Sequence, residues 1–227
     1  MMTHGLRAIH DAILVGAGTI RQDNPRLNVR HWPPSKKQGV SPEHTNCTSA
    51  GPDGDTHVLG KHDFSPQAVI LTRKLSDLPQ NMRLSKAVVF TTDTLFNETR
   101  CLEAVTKEKQ LKGALRDHTV VVCKEGLDGH CDLEDCLGKL YSMGFKSLMV
   151  EGGASVISSF VFGRWGSGLG NCEPRLVDRI VVTVVPMLFN GYNVLTKDGV
   201  DNGCPLSLSG VVYARLGNDV VVIGKPS

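Results

Sequence analysis

The stretch "LMVEGGASVISSF", residues 148–160, decides the fold. An apolar run stops at Glu151, meets Gly152 and Gly153, and resumes with apolar residues at helical spacing, so it reads as a strand, a glycine turn and a helix. A carboxylate at the end of a buried strand is costly unless it is paired or faces a site. The glycines let the backbone approach a ligand closely, and the amides opening the next helix carry about half a positive charge, which suits a pyrophosphate. A close helix-to-strand crossing without any ligand stays open as the plainer reading.

Working outward, short β-branched runs recur: "DAILVG" from Asp11, "QAVILT" from Gln67, "AVVFTT" from Ala87, "TVVVC" from Thr119 and "RIVVTVVP" from Arg179. They are continuous rather than alternating, which suits strands covered on both faces. Helix signals lie between several of them. In "DLEDCLGKLYSMG" Asp132 can cap, Leu133, Leu137 and Leu140 share one face, and Gly144 ends the helix. Alternation of this kind predicts an α/β fold. Near the C-terminus "GVVYARLGNDVVVIG" reads as an antiparallel hairpin turning at Gly217-Asn218-Asp219, which makes the expected sheet mixed and mostly parallel.

At 227 residues and 41% hydrophobic side chains, the chain is expected to form a single domain over residues 1–227. Residues 31–66, rich in Pro, Gly, Ser and Thr, read as a long surface loop, and residues 163–174 as a shorter one. Twenty-five basic and 23 acidic residues give a net charge of +2 without clustering, so no nucleic acid and no membrane surface is expected as partner. Neither a spanning run nor a signal peptide is legible, which predicts a cytoplasmic protein. The seven cysteines include no CxxC, and Cys131 and Cys136 are spaced too widely for a zinc knuckle; they read as reduced structural thiols, with no metal expected. The eight histidines read as surface residues.

"ILVGAGT", residues 13–19, is a strand entering a glycine turn, but Arg21 stands where a dinucleotide fingerprint needs its third glycine, so a plain tight turn fits equally well. "RQDNPRLNVR", residues 21–30, places Asp23, Arg26 and Arg30 on a loop after that turn, with Arg7 just ahead of the strand. Converging guanidinium groups suit a phosphorylated substrate, although each arginine alone fits a solvated surface as well. Arg73 and Lys74 follow a strand and could meet the extra phosphate of NADP, with ordinary surface positions the plainer alternative. No GxSxG elbow, P-loop, HExxH or zinc-deaminase signature occurs, so the chemistry is expected to belong to a bound cofactor.

Taken in order, "LRAIHDAILVGAGTIRQDNPRLNVR", "LMVEGGASVISSF" and "LVDRIVVTVVPMLFNG" resemble the reductases of riboflavin biosynthesis over most of the chain outside the two loops, and are most similar to the stand-alone fungal type. The resemblance implies a three-layer, dihydrofolate-reductase-like fold and a homodimer. It implies hydride transfer from NADPH to C1′ of the ribosylamino group of 2,5-diamino-6-(ribosylamino)-4(3H)-pyrimidinone 5′-phosphate, giving the ribitylamino compound. It also implies cofactor positions at Thr19, Asp23, Thr72, Gly152, Gly153, Ala154, Ser155 and Val156, and substrate positions at Arg7, Leu27, Arg30 and Glu151. No catalytic acid is assigned. The family carries a strand and a Ser/Gly-containing segment ahead of the helix that begins here near Met2. The first strand is therefore expected to be missing, and a truncated, inactive nucleotide-binding remnant is the alternative, with a related pterin or folate reductase a third.

Overall fold

The computed structural model of the protein describes residues 2–30, 65–92, 115–126, 129–162, 176–187 and 206–227. The expected loops at 31–66 and 163–174 lie outside the described residues, apart from 65–66.

Helix α1 (Met2–Ala8) leads into β1 (Ala12–Gly16), α2 (Ala17–Asp23) and β2 (Gln67–Thr72). After a 3-10 turn at Leu75–Asp77 come β3 (Val88–Thr91), β4 (Thr119–Val122), α3 (Leu133–Ser142), β5 (Leu148–Val150) and α4 (Ala154–Phe162). The chain closes with β6 (Ile180–Val184), β7 (Leu208–Leu216) and β8 (Asp219–Pro226). Strands β1 to β5 form one parallel sheet in the order β4-β3-β2-β1-β5.

The apolar runs of β1, β2 and β3 form strands covered on both faces, whereas the run in β6, which also reads as covered, is mostly exposed. Ile13 and Val15 point into one core with Ile20 of α2, while Ala12 and Leu14 point into another with Leu140 of α3 and Phe160 of α4. All five residues of β1 are buried, as an interior strand between two helical layers requires. Asp132 caps α3 by accepting from the backbone N–H groups of Glu134 and Asp135 at 3.0 and 3.2 Å. Leu133 and Leu137 pack on the same core as Cys136 and Leu140.

The C-terminal hairpin is antiparallel as expected. It pairs with β6 in a three-stranded sheet of order β6-β8-β7, and among the described residues no ladder joins that sheet to the parallel one. Val182, Val184, Val212 and Tyr213 are exposed there, the last at 71%.

Helix α2 corrects one expectation. Asp23 lies at the end of this helix, not on a loop, and the following Asn24, at φ +41°, closes it through its N–H to Ile20 O. Seven residues are too few for apolar periodicity to announce a helix. The turn after it is pinned from the far side of the fold, because the Asn24 side chain donates to Asn81 O and accepts from Arg83 N–H.

Candidate active site

Strands β1 to β4 are laid down in one direction across the sheet, after which the chain crosses back to place β5 on the opposite side of β1. The connections leaving β1 and β5 therefore diverge, and their carboxyl ends flank the position where open α/β sheets bind ligands. Both glycine turns singled out in the sequence lie there: Gly16 ends β1, and Glu151 follows β5 with its N–H donated to Leu14 O at 2.9 Å.

The two turns touch. Gly152 and Gly153 have φ of +78° and +70°, a region that favours glycine. A Cβ on Gly152 would lie 3.1 Å from the Thr19 side chain, and one on Gly16 only 2.8 Å from Val156. Thr19, Gly152, Gly153 and Val156 are thus brought together, with Ala154 and Ser155 in the first turn of α4. That turn contains no acidic residue. Its N–H groups have no intrahelical acceptors, so the cradle fits an anionic group such as a dinucleotide's pyrophosphate.

Beside the cradle, Arg7 and Glu151 form a two-pronged ion pair. Arg7 Nε donates to Glu151 Oε1 at 2.9 Å and Nη2 to Oε2 at 2.6 Å, with side-chain exposures of 13% and 20%. Arg7 Nη1 donates to Asn28 O at 3.3 Å, which ties α1 to the segment after α2. Counting its five N–H groups, Arg7 keeps two for another partner. The carboxylate that ends the buried run is thus paired.

Arg30 is exposed; its backbone N–H donates to His4 Nδ1 at 3.2 Å, one turn of α1 from Arg7. Leu27 buries its side chain in the core at φ +52°, so any part it takes in binding runs through its backbone. Asp23 is exposed at the far end of α2 from Thr19. Thr72, at the end of β2, is 5% exposed and its hydroxyl donates to Lys74 O at 2.7 Å. The Arg73 carbonyl accepts from Thr91 Oγ1 at 3.0 Å, which fixes the start of the loop carrying Arg73 and Lys74.

Sequence reasoning missed three features. Asn28 Oδ1 is buried without a hydrogen-bond partner, next to the carbonyl that Arg7 holds; nothing distinguishes Asn28 in sequence from its polar neighbours. His118 is partly buried, not a surface residue, and its Nδ1 accepts the Ala87 N–H at 3.0 Å. Cys123, Cys131 and Cys136 converge, which their spacing does not announce.

A parallel α/β sheet with glycine turns and a helix N-terminus at its switch point has the form of a nucleotide-binding α/β protein. The chain matches the RibD C-terminal domain family over residues 1–222 and belongs to that family. It is 31% identical over 196 residues to the 2,5-diamino-6-ribosylamino-4(3H)-pyrimidinone 5′-phosphate reductase of Aquifex aeolicus, covering 86% of this chain and 66% of the relative. Identity to the protein of the same name from Kluyveromyces lactis is 27%, over 88% of this chain and 63% of the relative. The chain thus spans just under two thirds of the length of these relatives. The fold is shared with the riboflavin biosynthesis reductase of Saccharomyces cerevisiae, at a TM-score of 0.62 and 21% identity over 100% of this chain and 80% of that one. It is also shared with the deaminase/reductase of Thermotoga maritima, at a TM-score of 0.60 and 21% identity over 100% and 48% of the two chains.

Proposed function

We propose that the chain is a cytoplasmic, homodimeric reductase that transfers a hydride from NADPH to C1′ of 2,5-diamino-6-(ribosylamino)-4(3H)-pyrimidinone 5′-phosphate. The observation that carries this reading is the contact between the Gly16–Thr19 and Gly152–Val156 turns at the switch point, with the Arg7–Glu151 pair beside it. The names of the relatives support the substrate class.

In this reading Thr19 and Gly152 to Val156 hold the pyrophosphate, while Asp23 and Thr72 belong to the cofactor's flanks. When bound, the reduced nicotinamide supplies the hydride. Arg7 and Arg30 bind the substrate's phosphate and Glu151 orients Arg7. The ring-opened ribosylamine presents an imine whose C1′ is electrophilic, so the protein's contribution is position, with the proton for nitrogen supplied by solvent. The exposed apolar residues of β6 and β7 support the homodimer.

The test is NADPH oxidation by the purified full chain with this substrate, read by loss of nicotinamide absorbance and by the mass of the ribitylamino product. Turnover supports the proposal. NADPH binding without turnover, on this or a pterin substrate, favours the inactive remnant. Absence of NADPH binding by a folded chain overturns it.

A further inference from the structure

Three cysteines from three separate pieces of backbone meet at the carboxyl ends of β2, β3 and β4. Cys123 follows β4, Cys131 lies at a two-residue bridge opposite Glu125, and Cys136 is in the first turns of α3. Their sulfur atoms all lie within 4.8 Å of one another, and the residues are 6%, 9% and 1% exposed. We propose that Cys123, Cys131 and Cys136 form a three-thiolate site for a soft closed-shell cation such as zinc or cuprous copper.

Three lines of geometry carry this. A zinc–sulfur bond of about 2.3 Å sets three ligand sulfurs roughly 4 Å apart, a spacing these atoms reach with little movement. The backbone around them is already fixed: Gly126 N–H donates to His130 O at 2.7 Å, Asp132 N–H to Lys124 O at 2.8 Å, and Cys123 N–H to Thr91 O at 2.9 Å. Thiolates select soft cations over the hard ions that carboxylates and carbonyls bind. The carboxylate of Asp135, the residue before Cys136, is held by Lys139 and the Lys124 N–H. Among the described residues the cluster consists of these three ligands alone.

Cys131 has one proton and two acceptors in reach, the Cys123 sulfur and the Thr72 carbonyl at 3.5 Å. A cation removes that competition: it takes all three sulfurs as thiolates and releases the thiol protons to solvent. Because Cys131 touches Thr72 O and Cys123 touches Thr91 O, an occupied site would lock the ends of β2 and β3, one and two strands away from the glycine turn that ends β1.

The test uses the full chain, reduced and stripped of metal under anaerobic conditions, titrated with cadmium as the spectroscopic probe and then with zinc and cuprous ions. The expected result is a thiolate-to-cadmium charge-transfer band that saturates at one ion per chain. It should persist when Cys47, Cys101, Cys172 and Cys204 are all replaced by serine, and be lost in Cys131→Ser. Because a variant can fail to fold, the wild-type chain is also loaded with zinc and its X-ray absorption recorded, where a sulfur shell is expected. No band, a band that survives Cys131→Ser, a zinc shell of nitrogen and oxygen, or a disulfide between two of the three that excludes cadmium would each overturn the site.

Discussion

Arg7 and Glu151 stand 144 residues apart in sequence and meet through two parallel hydrogen bonds at 2.9 and 2.6 Å. The pair joins the first helix to the turn that follows β5, and it is mostly shielded from solvent. Removing either partner strands the other charge, which in a fully buried pair costs about 3 to 5 kcal/mol, and the remaining exposure lowers this to roughly 1 to 3 kcal/mol. Glu151→Leu and Arg7→Leu are each expected to lower stability by that amount in urea denaturation. The double variant Arg7→Leu/Glu151→Leu should recover part of the loss without recovering turnover. Full additivity of the two single effects would show that the side chains do not act as a pair.

The glycine cradle makes a separate prediction. A side chain at Gly152 must adopt φ near +78° and push Thr19 aside, so Gly152→Ala should cost about 1 to 2 kcal/mol from the backbone alone. Gly153→Val adds a branched side chain beside Thr19 and Val156 at the same kind of φ. It is expected to abolish NADPH binding in a chain whose circular dichroism shows it folded. An unchanged NADPH titration in that variant would remove the diglycine turn from the cofactor site.

The strands and the site were legible to different degrees, for physical reasons. Gln67–Thr72 and Val88–Thr91 were visible from end to end because a strand buried on both faces leaves a continuous apolar run. Asp132 and Gly144 marked α3 because helix termini have chemical requirements. Helix α2 was hidden by its length, and the separate antiparallel sheet by the fact that a hairpin's sequence specifies its turn and not which sheet it joins. In the candidate site, Glu151 stood out as an acid in an apolar run and Arg7 as an arginine ahead of the first strand, but their pairing became visible only once the fold brought α1 beside β5. The thiol cluster left no local mark, since its three sulfurs are brought together by β4, the Glu125–Cys131 bridge and α3.

Arg30 offers a contrast to Arg7. Its side chain is exposed and only its backbone N–H is tied to His4, so its replacement should leave the fold almost untouched. A charge-assisted hydrogen bond to the substrate's phosphate is worth about 1.5 to 3 kcal/mol. Arg30→Ala is therefore expected to raise KM by roughly 10- to 150-fold with a melting temperature near that of the wild type. Unchanged KM and kcat would place Arg30 outside the substrate site.

Stability should fall in two steps as pH is lowered, and the signs follow from where each proton is excluded. Burial holds the His118 imidazole below its ordinary 6.5, against the pull of Asp117, and the Ala87 N–H donating to Nδ1 requires the neutral ring. The unfolded chain therefore takes up this proton first. The contribution of His118 is complete above about pH 6.5 and is lost as pH falls from there towards the lower folded value. Asp11 acts in a more acidic window. Its carboxylate accepts the Lys146 and Ser147 N–H groups at 2.8 and 2.9 Å, and these bonds, with that of the Ser147 hydroxyl, hold it below the ordinary 3.8. Its contribution is present above about pH 3.8 and disappears as pH falls below it. Urea midpoints measured from pH 8 to pH 3 should thus decline first as pH falls below about 6.5. His118→Gln should flatten that first decline, and Asp11→Asn should lower the plateau and flatten the second. A first decline of undiminished size in His118→Gln would assign the proton to another group.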